Sequence, residues 1–229
     1  VYKRQAQFYH YILCLPRSAG CGNSSLCVSR YRRRVKFSHR VELNEPNAVT
    51  LAQRVARRDG TLKMNLADSN PTRWGLGAPG LPPYEPDPRG PRAAREALAA
   101  WLSERDKRTV NPDHLYLLSS TSQGYAWLTK LTSDPGERLA APTPGYPLVE
   151  TIAGLEHVGV DFYPLTWVGS RWELGDLTPG AVSAVVAINP NNPTGSYVHG
   201  EDRQRLLNYC ANHEVALIVD EVFFGFDLP

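Results

Sequence analysis

Methionine is nearly missing from this chain, and so is cysteine beyond its first 27 residues. Beyond its first 27 residues it carries one cysteine, Cys210, and its lone methionine is Met64. So isolated a cysteine excludes a disulfide scaffold and suits a reducing cytoplasm. Cys14, Cys21 and Cys27 crowd the start, but they form no CxxC pair and no histidine sits at finger spacing, so no metal site is expected. Long apolar runs are also lacking. The longest reach about eight residues, where a membrane span needs ~20. A signal peptide could start from Lys3, Arg4 and FYHYILCL (8–15), but Gln7 and His10 disturb it and no small-x-small cleavage site follows. Charge of one sign is scarce too. A formal net charge of +2 is too small to imply a polyanionic partner. The densest basic run, RYRRRVK (30–36), has no aromatic stacking platform beside it and reads as a solvated leader, not as a nucleic-acid contact. Neither GxGxxG nor GxxxxGK[ST] follows any apolar run, which argues against a nucleotide-binding α/β protein.

What is present is order that begins near Val35. Residues 1–34 show no sustained period and read as a leader, disordered or foreign to the fold. NAVTLAQRVARRDG (47–60) has helical apolar spacing and a glycine stop. The stretch 70–90 holds too many prolines and glycines for any regular element. Residues 91–108 read as a helix opened by Pro91, with Leu98, Trp101 and Leu102 on its buried face. LYLL (115–118) reads as a short buried strand and SQGYAWLTKL (122–131) as a helix ended by the turn at 134–136. ERLAAP (137–142) is a strand, PLVETIAGLE (147–156) a helix and VGVDFYPL (158–165) a strand. AVSAVVAI (181–188), a helix over 201–214 and VALIVDE (215–221) complete the pattern. Apolar strands alternating with helices of 10–15 residues predict an α/β fold: a mostly parallel sheet with helices on both faces. The expected division is a leader (1–34), an N-terminal arm or part of a small domain (35–75) and an incomplete large domain (76–229). The chain opens on Val1, not methionine, and stops just past an apparent strand, so it reads as a piece of a longer protein.

Ligands of such sheets collect beyond the carboxyl ends of the strands. After LYLL come Ser119, Ser120, Thr121 and Ser122, running straight into a helix. Hydroxyls at a helix start suit a phosphate, and equally suit plain N-capping. After ERLAAP, two prolines and a glycine place Tyr146, either to stack on a flat ligand or to pack beneath its loop. After AVSAVVAI comes NPNNPTG (189–195), whose prolines set the backbone and leave asparagine amides to point into a site. After VALIV stands Asp220, an acid that is costly to bury unless it meets a cation. The 28 residues from Asn192 to Asp220 match one loop, helix and strand of a βαβ unit, which brings both side chains to one sheet edge. The implied ligand is flat and carries a phosphate, a polar oxygen and a cationic ring nitrogen. Pyridoxal 5'-phosphate has all four features.

These stretches, with SSTSQGY (119–125), DPGERLAAPTPGYP (134–147), DEVFFGF (220–226) and YEPDPRGPRAAREALAAWL (84–102), resemble class I/II aminotransferases of fold type I from about Val35 to Pro229. SNPTRWG (69–75) resembles the entry segment of one bacterial branch. The resemblance implies that Asp220 pairs with the protonated pyridine nitrogen and that Asn192 donates to the ring's phenolic oxygen. It further implies that Tyr146 stacks on the ring and that Ser120, Thr121 and Ser122 hold the phosphate. Tyr84 would reach the cofactor phosphate of a partner subunit in a homodimer. Phe223 stands where family members often have a tyrosine that donates to the phenolic oxygen, so less stabilisation of the phenolate is expected. The lysine that forms the Schiff base lies later in the family, beyond Pro229 here, as does the arginine that binds the substrate carboxylate. Lys63, Lys107 and Lys130 stand in the wrong contexts to replace that lysine. No catalytic residue is therefore expected within this chain, which should not transaminate alone.

The implied activity of the whole protein is transfer of an amino group between an amino acid and a 2-oxo acid. A lyase or decarboxylase using the same cofactor is the nearest rival. A non-catalytic aminotransferase-like sensing domain is another, opposed by the absence of a helix-turn-helix pattern in the short leader. Neither a nucleic-acid nor a membrane partner is expected.

Overall fold

A computed structural model describes residues 11–14, 36–40, 46–61, 71–76, 85–177 and 180–225. The chain divides into two compact units, one formed by residues 1–42 and 118–229 and the other by residues 43–117.

The first unit is a six-stranded sheet with helices on both faces. Its elements are β1 (Tyr11–Cys14), α3 (Thr121–Thr132), β2 (Arg138–Thr143), α4 (Leu148–Leu155), β3 (Gly159–Val168), β4 (Arg171–Leu174), β5 (Ala184–Ile188), α5 (Gly200–His213) and β6 (Ala216–Asp220). The second unit contributes α1 (Ala48–Arg58) and α2 (Arg92–Asp106). The strand order is β1-β6-β5-β2-β3-β4. The central pairs β2–β3, β2–β5 and β5–β6 are parallel, while the outer strands β1 and β4 run antiparallel to their neighbours.

Both faces of the central strands are buried, as their unbroken apolar runs require. Alternation splits each strand between two cores. Leu139, Ala141, Ala184, Val186, Ile188, Ala216 and Ile218 pack with Tyr125 of α3 and Val149, Ile152 and Ala153 of α4. Ala140, Val185, Ala187 and Leu217 pack with Leu206 and Cys210 of α5 on the other face. Burial pushes the Cys210 thiol up to about 12, so it is no nucleophile. No helix among the described residues is long and apolar enough to cross a membrane.

Four local expectations change. Residues 11–14, read as part of an irregular leader, form β1 and pair with β6. LYLL is not a strand. The Leu117 N–H donates to the Arg89 carbonyl at 2.9 Å and Tyr116 is exposed, so the segment's apolar composition has no ladder to join among the described residues. Gly90 lets the two segments meet there: its φ is +92°, and an added Cβ would lie 2.8 Å from the Leu117 Cβ. On α2 the buried stripe is Arg95, Ala99 and Leu102, whereas Trp101 lies outside with the Arg105 guanidinium 5.2 Å from its ring centre. Finally, β3 runs on to Val168 and turns through Gly169-Ser170 into β4, with Trp167 and Trp172 directly opposed. The signal was the Gly-Ser pair between two tryptophan-bearing runs.

Candidate functional site

The parallel register sets the frame. Ile188 of β5 pairs with Asp220 of β6, and β2 ends at Thr143 on the other side of β5. The loops at 144–147, 189–199 and 221–225 therefore leave neighbouring strands at the same sheet edge. Asn192 follows β5 and Asp220 ends β6, adjacent parallel strands, as their spacing predicts.

The asparagines of NPNNPTG divide their duties. Asn189 accepts the Val198 N–H at 2.8 Å through Oδ1, and its own N–H donates to the Asp220 carbonyl. The Asn191 amide donates to the Pro144 carbonyl at 3.1 Å and to Thr194 Oγ1 at 2.9 Å, which ties this loop to the one after β2. The Asn192 side chain makes no hydrogen bond among the described residues, and the Asn191 Oδ1 is buried without a partner among them. The Thr143–Pro144, Asn189–Pro190 and Asn192–Pro193 bonds are cis. Gly145 follows so tightly that a Cβ there would lie 2.2 Å from the Pro142 carbonyl oxygen.

Asp220 is only 3% exposed. Its Oδ2 accepts the Tyr125 hydroxyl at 2.8 Å, and its Oδ1 accepts the Val222 N–H at 3.0 Å. Burial pushes its carboxyl pKa up, and these two donors pull it back only in part. No cation contributes to its environment among the described residues. Tyr125 was absent from the residues expected at the site. Its only sequence signal is a polar tip among the core positions of α3.

The hydroxyls at the start of α3 also divide. Ser120 is the N-cap, accepting the Gln123 N–H at 3.2 Å, so the capping reading holds for it. Ser119 donates to the Gln123 side chain. The Thr121 and Ser122 hydroxyls make no hydrogen bond among the described residues, and both are half-buried at the end of the helix that favours an anion. Tyr146 is half-buried and packs on the same core as Tyr125. Tyr84 lies outside the described residues, as do most of residues 1–34. A small cavity lined by Tyr163, Leu174, Tyr197 and Leu206 on the α5 side also reaches Asn191 and Ser196 of the loop after β5.

A sequence model of the family "Aminotransferase class I and II" matches residues 85–228. The chain is 33% identical over 135 residues to the valine–pyruvate aminotransferase of Mycobacterium tuberculosis, covering 57% of this chain and 34% of that protein. Among solved structures, the alanine aminotransferase of Pyrococcus furiosus superposes with a TM-score of 0.59 at 20% identity, covering 64% of this chain and 38% of that one. A pyridoxal-phosphate-bound carbon–sulfur lyase from Staphylococcus hominis superposes at 0.52 with 21% identity, covering 56% of this chain and 35% of that one. The fold is thus that of fold type I enzymes. The chain spans about a third of the length of the curated relatives it matches. Pyridoxal 5'-phosphate is the family's cofactor, and the donor set here fits it. A buried acid without a cation suits the ring nitrogen, an unengaged amide suits the phenolic oxygen, and unengaged hydroxyls at a helix start suit the phosphate.

Proposed function

Because this chain belongs to the class I and II aminotransferase family, we propose that it builds the cofactor cradle of a protein that moves amino groups between amino acids and 2-oxo acids. The observation that carries the reading is Asp220, a buried carboxylate that the described chain supplies with two neutral donors and no positive charge. A protonated ring nitrogen would complete it. In the same reading, Asn192 holds the phenolic oxygen, Tyr146 lies against the ring, and Thr121 and Ser122 grip the phosphate, with Ser120 shaping that helix end. Tyr84 would serve a partner subunit's cofactor in a homodimer.

When bound, pyridoxal phosphate supplies the electron sink that lets a bond at the substrate's α-carbon break. The chain's own part is electrostatic and geometric. Asp220 keeps the ring nitrogen protonated, Asn192 fixes the ring's rotation, and the start of α3 anchors the far end. Among the described residues, Cys210 is a buried free thiol, which fits a cytoplasmic setting.

The test is a panel of amino acids and 2-oxo acids on the intact, cofactor-loaded protein. Transfer of the amino group to an added oxo acid is expected. Release of ammonia with no need of an oxo acid acceptor would overturn the reading in favour of a lyase.

A further inference from the structure

We infer that Tyr125 is a positioning residue, holding the Asp220 carboxylate in the orientation from which it meets the cofactor's ring nitrogen; this rests on the cofactor reading above. Asp220 closes β6, and among the described residues the backbone reaches one of its oxygens, through the Val222 N–H to Oδ1. That contact leaves the carboxylate free to tilt about its own axis. The Tyr125 hydroxyl supplies the second fixed point, on Oδ2, at 2.8 Å. Two donors on two oxygens define the plane of the group, and each oxygen retains a lone pair for a third donor.

The phenol is held as firmly as the acid. Tyr125 is 2% exposed and packs against Leu139, Ala141, Val186 and Ile218 in one core. Phenylalanine would fill the same space, so packing alone does not require the hydroxyl. A buried phenol oxygen also needs a partner, and here the partner is the acid. The placement of Tyr125 on α3 adds a second consequence. That helix begins at the Ser120 cap, with Thr121 and Ser122 in its first turn, and reaches Tyr125 about 7 Å further along its axis. One rigid element therefore presents the phosphate end of the site and also orients the group for the ring nitrogen. The spacing between those two anchors is set by helix geometry, with no loop between them.

The role is read from a ratio of affinities. Pyridoxamine 5'-phosphate and its 1-deaza analogue differ at the ring nitrogen alone, and neither needs a lysine to bind. In the intact protein without cofactor, Tyr125→Phe is expected to weaken pyridoxamine phosphate about tenfold, the scale of one hydrogen bond to a charged group, and to leave the deaza analogue within about twofold. In an Asp220→Asn background the same substitution should leave the ratio unchanged. Equal losses for both ligands would show a merely structural role and overturn the proposal. So would no loss for either. Failure of the unaltered protein to bind either ligand would overturn the cofactor reading and the proposal with it. Where Tyr125→Phe does not fold, Tyr125→His keeps a ring and an N–H while Tyr125→Leu keeps neither. The histidine variant should then hold the higher ratio, and equal ratios would overturn the proposal.

Discussion

Among the described residues, one basic and one acidic side chain are buried, Arg95 in one unit and Asp220 in the other, and their surroundings differ in kind. Arg95 is 1% exposed and complete. Its guanidinium donates to the Gly90 carbonyl at 3.0 Å, the Pro112 carbonyl at 2.7 Å and Asp87 Oδ2 at 2.6 Å. Asp220 is 3% exposed and has neutral donors only. A buried charge that meets its counter-ion inside the chain holds the fold together. One that does not is a place where a ligand can supply what is missing. The sign of the missing charge then names the ligand's chemistry: a cation for Asp220.

The largest expected effect comes from breaking the complete partner. Arg95→Met keeps most of the volume but strands two carbonyls and the Asp87 carboxylate. Loss of one member of a buried pair typically costs several kcal/mol. Part of Asp87 remains in water, so the low end applies, about 3 kcal/mol. Urea unfolding of the variant measures it. A loss under about 1 kcal/mol would mean that Arg95 is not the centre of its unit.

The corresponding change at Asp220 should behave the other way. In the Asp220→Asn variant the amide oxygen can still accept the Val222 N–H, and the Tyr125 hydroxyl can turn to accept from the NH2. Stability at neutral pH should change by less than about 1 kcal/mol, while affinity for pyridoxamine phosphate falls by about tenfold or more. The pH dependence separates the two proteins further. Burial raises the folded carboxyl above its ordinary 3.8, so the folded state holds a proton that the unfolded state releases. Stability of the unaltered, cofactor-free protein should therefore fall as pH rises from 3.8 towards the folded value, and stay level above it. The variant should lack that fall, which thermal melts across the acid range would reveal.

How far the sequence reached follows from the same contrast. The mostly parallel sheet, its alternation of strands and helices and the arrival of Asn192 and Asp220 at one sheet edge were legible because apolar runs and a 28-residue spacing are local facts. Asp220 was legible because an acid ending a buried strand is an anomaly by itself. Tyr125 was not, because a tyrosine in an amphipathic helix reads as core, and its partner lies 95 residues away. Arg95 was missed for a related reason: an arginine on a charged helix reads as solvated, and only the fold brings Gly90, Pro112 and Asp87 around it. LYLL misled because composition marks a strand's side chains and not the partner that its backbone needs. The roles of the three asparagines could not be told apart in one dimension, since Asn191 is consumed by the Pro144 carbonyl of a different loop.

The smallest expected effect repeats the comparison within four residues. Ser120 is engaged by the chain itself, through the Gln123 N–H, whereas the Ser122 hydroxyl makes no hydrogen bond among the described residues. Ser120→Ala should therefore cost about 1 kcal/mol of stability through the lost cap. Ser122→Ala should stay within about 0.5 kcal/mol, as surface substitutions without a partner do. Phosphate-bearing ligands should sense the reverse. On the proposed reading, which gives that hydroxyl to the phosphate, inorganic phosphate and pyridoxamine phosphate should each bind the Ser122 variant a few-fold more weakly. Ser120→Ala should weaken them only as far as it frays the first turn of α3. Melting temperatures and affinities measured side by side decide it. If the Ser122 variant loses stability and keeps its affinity, that hydroxyl belongs with Ser120 and Arg95 among the groups the chain completes for itself.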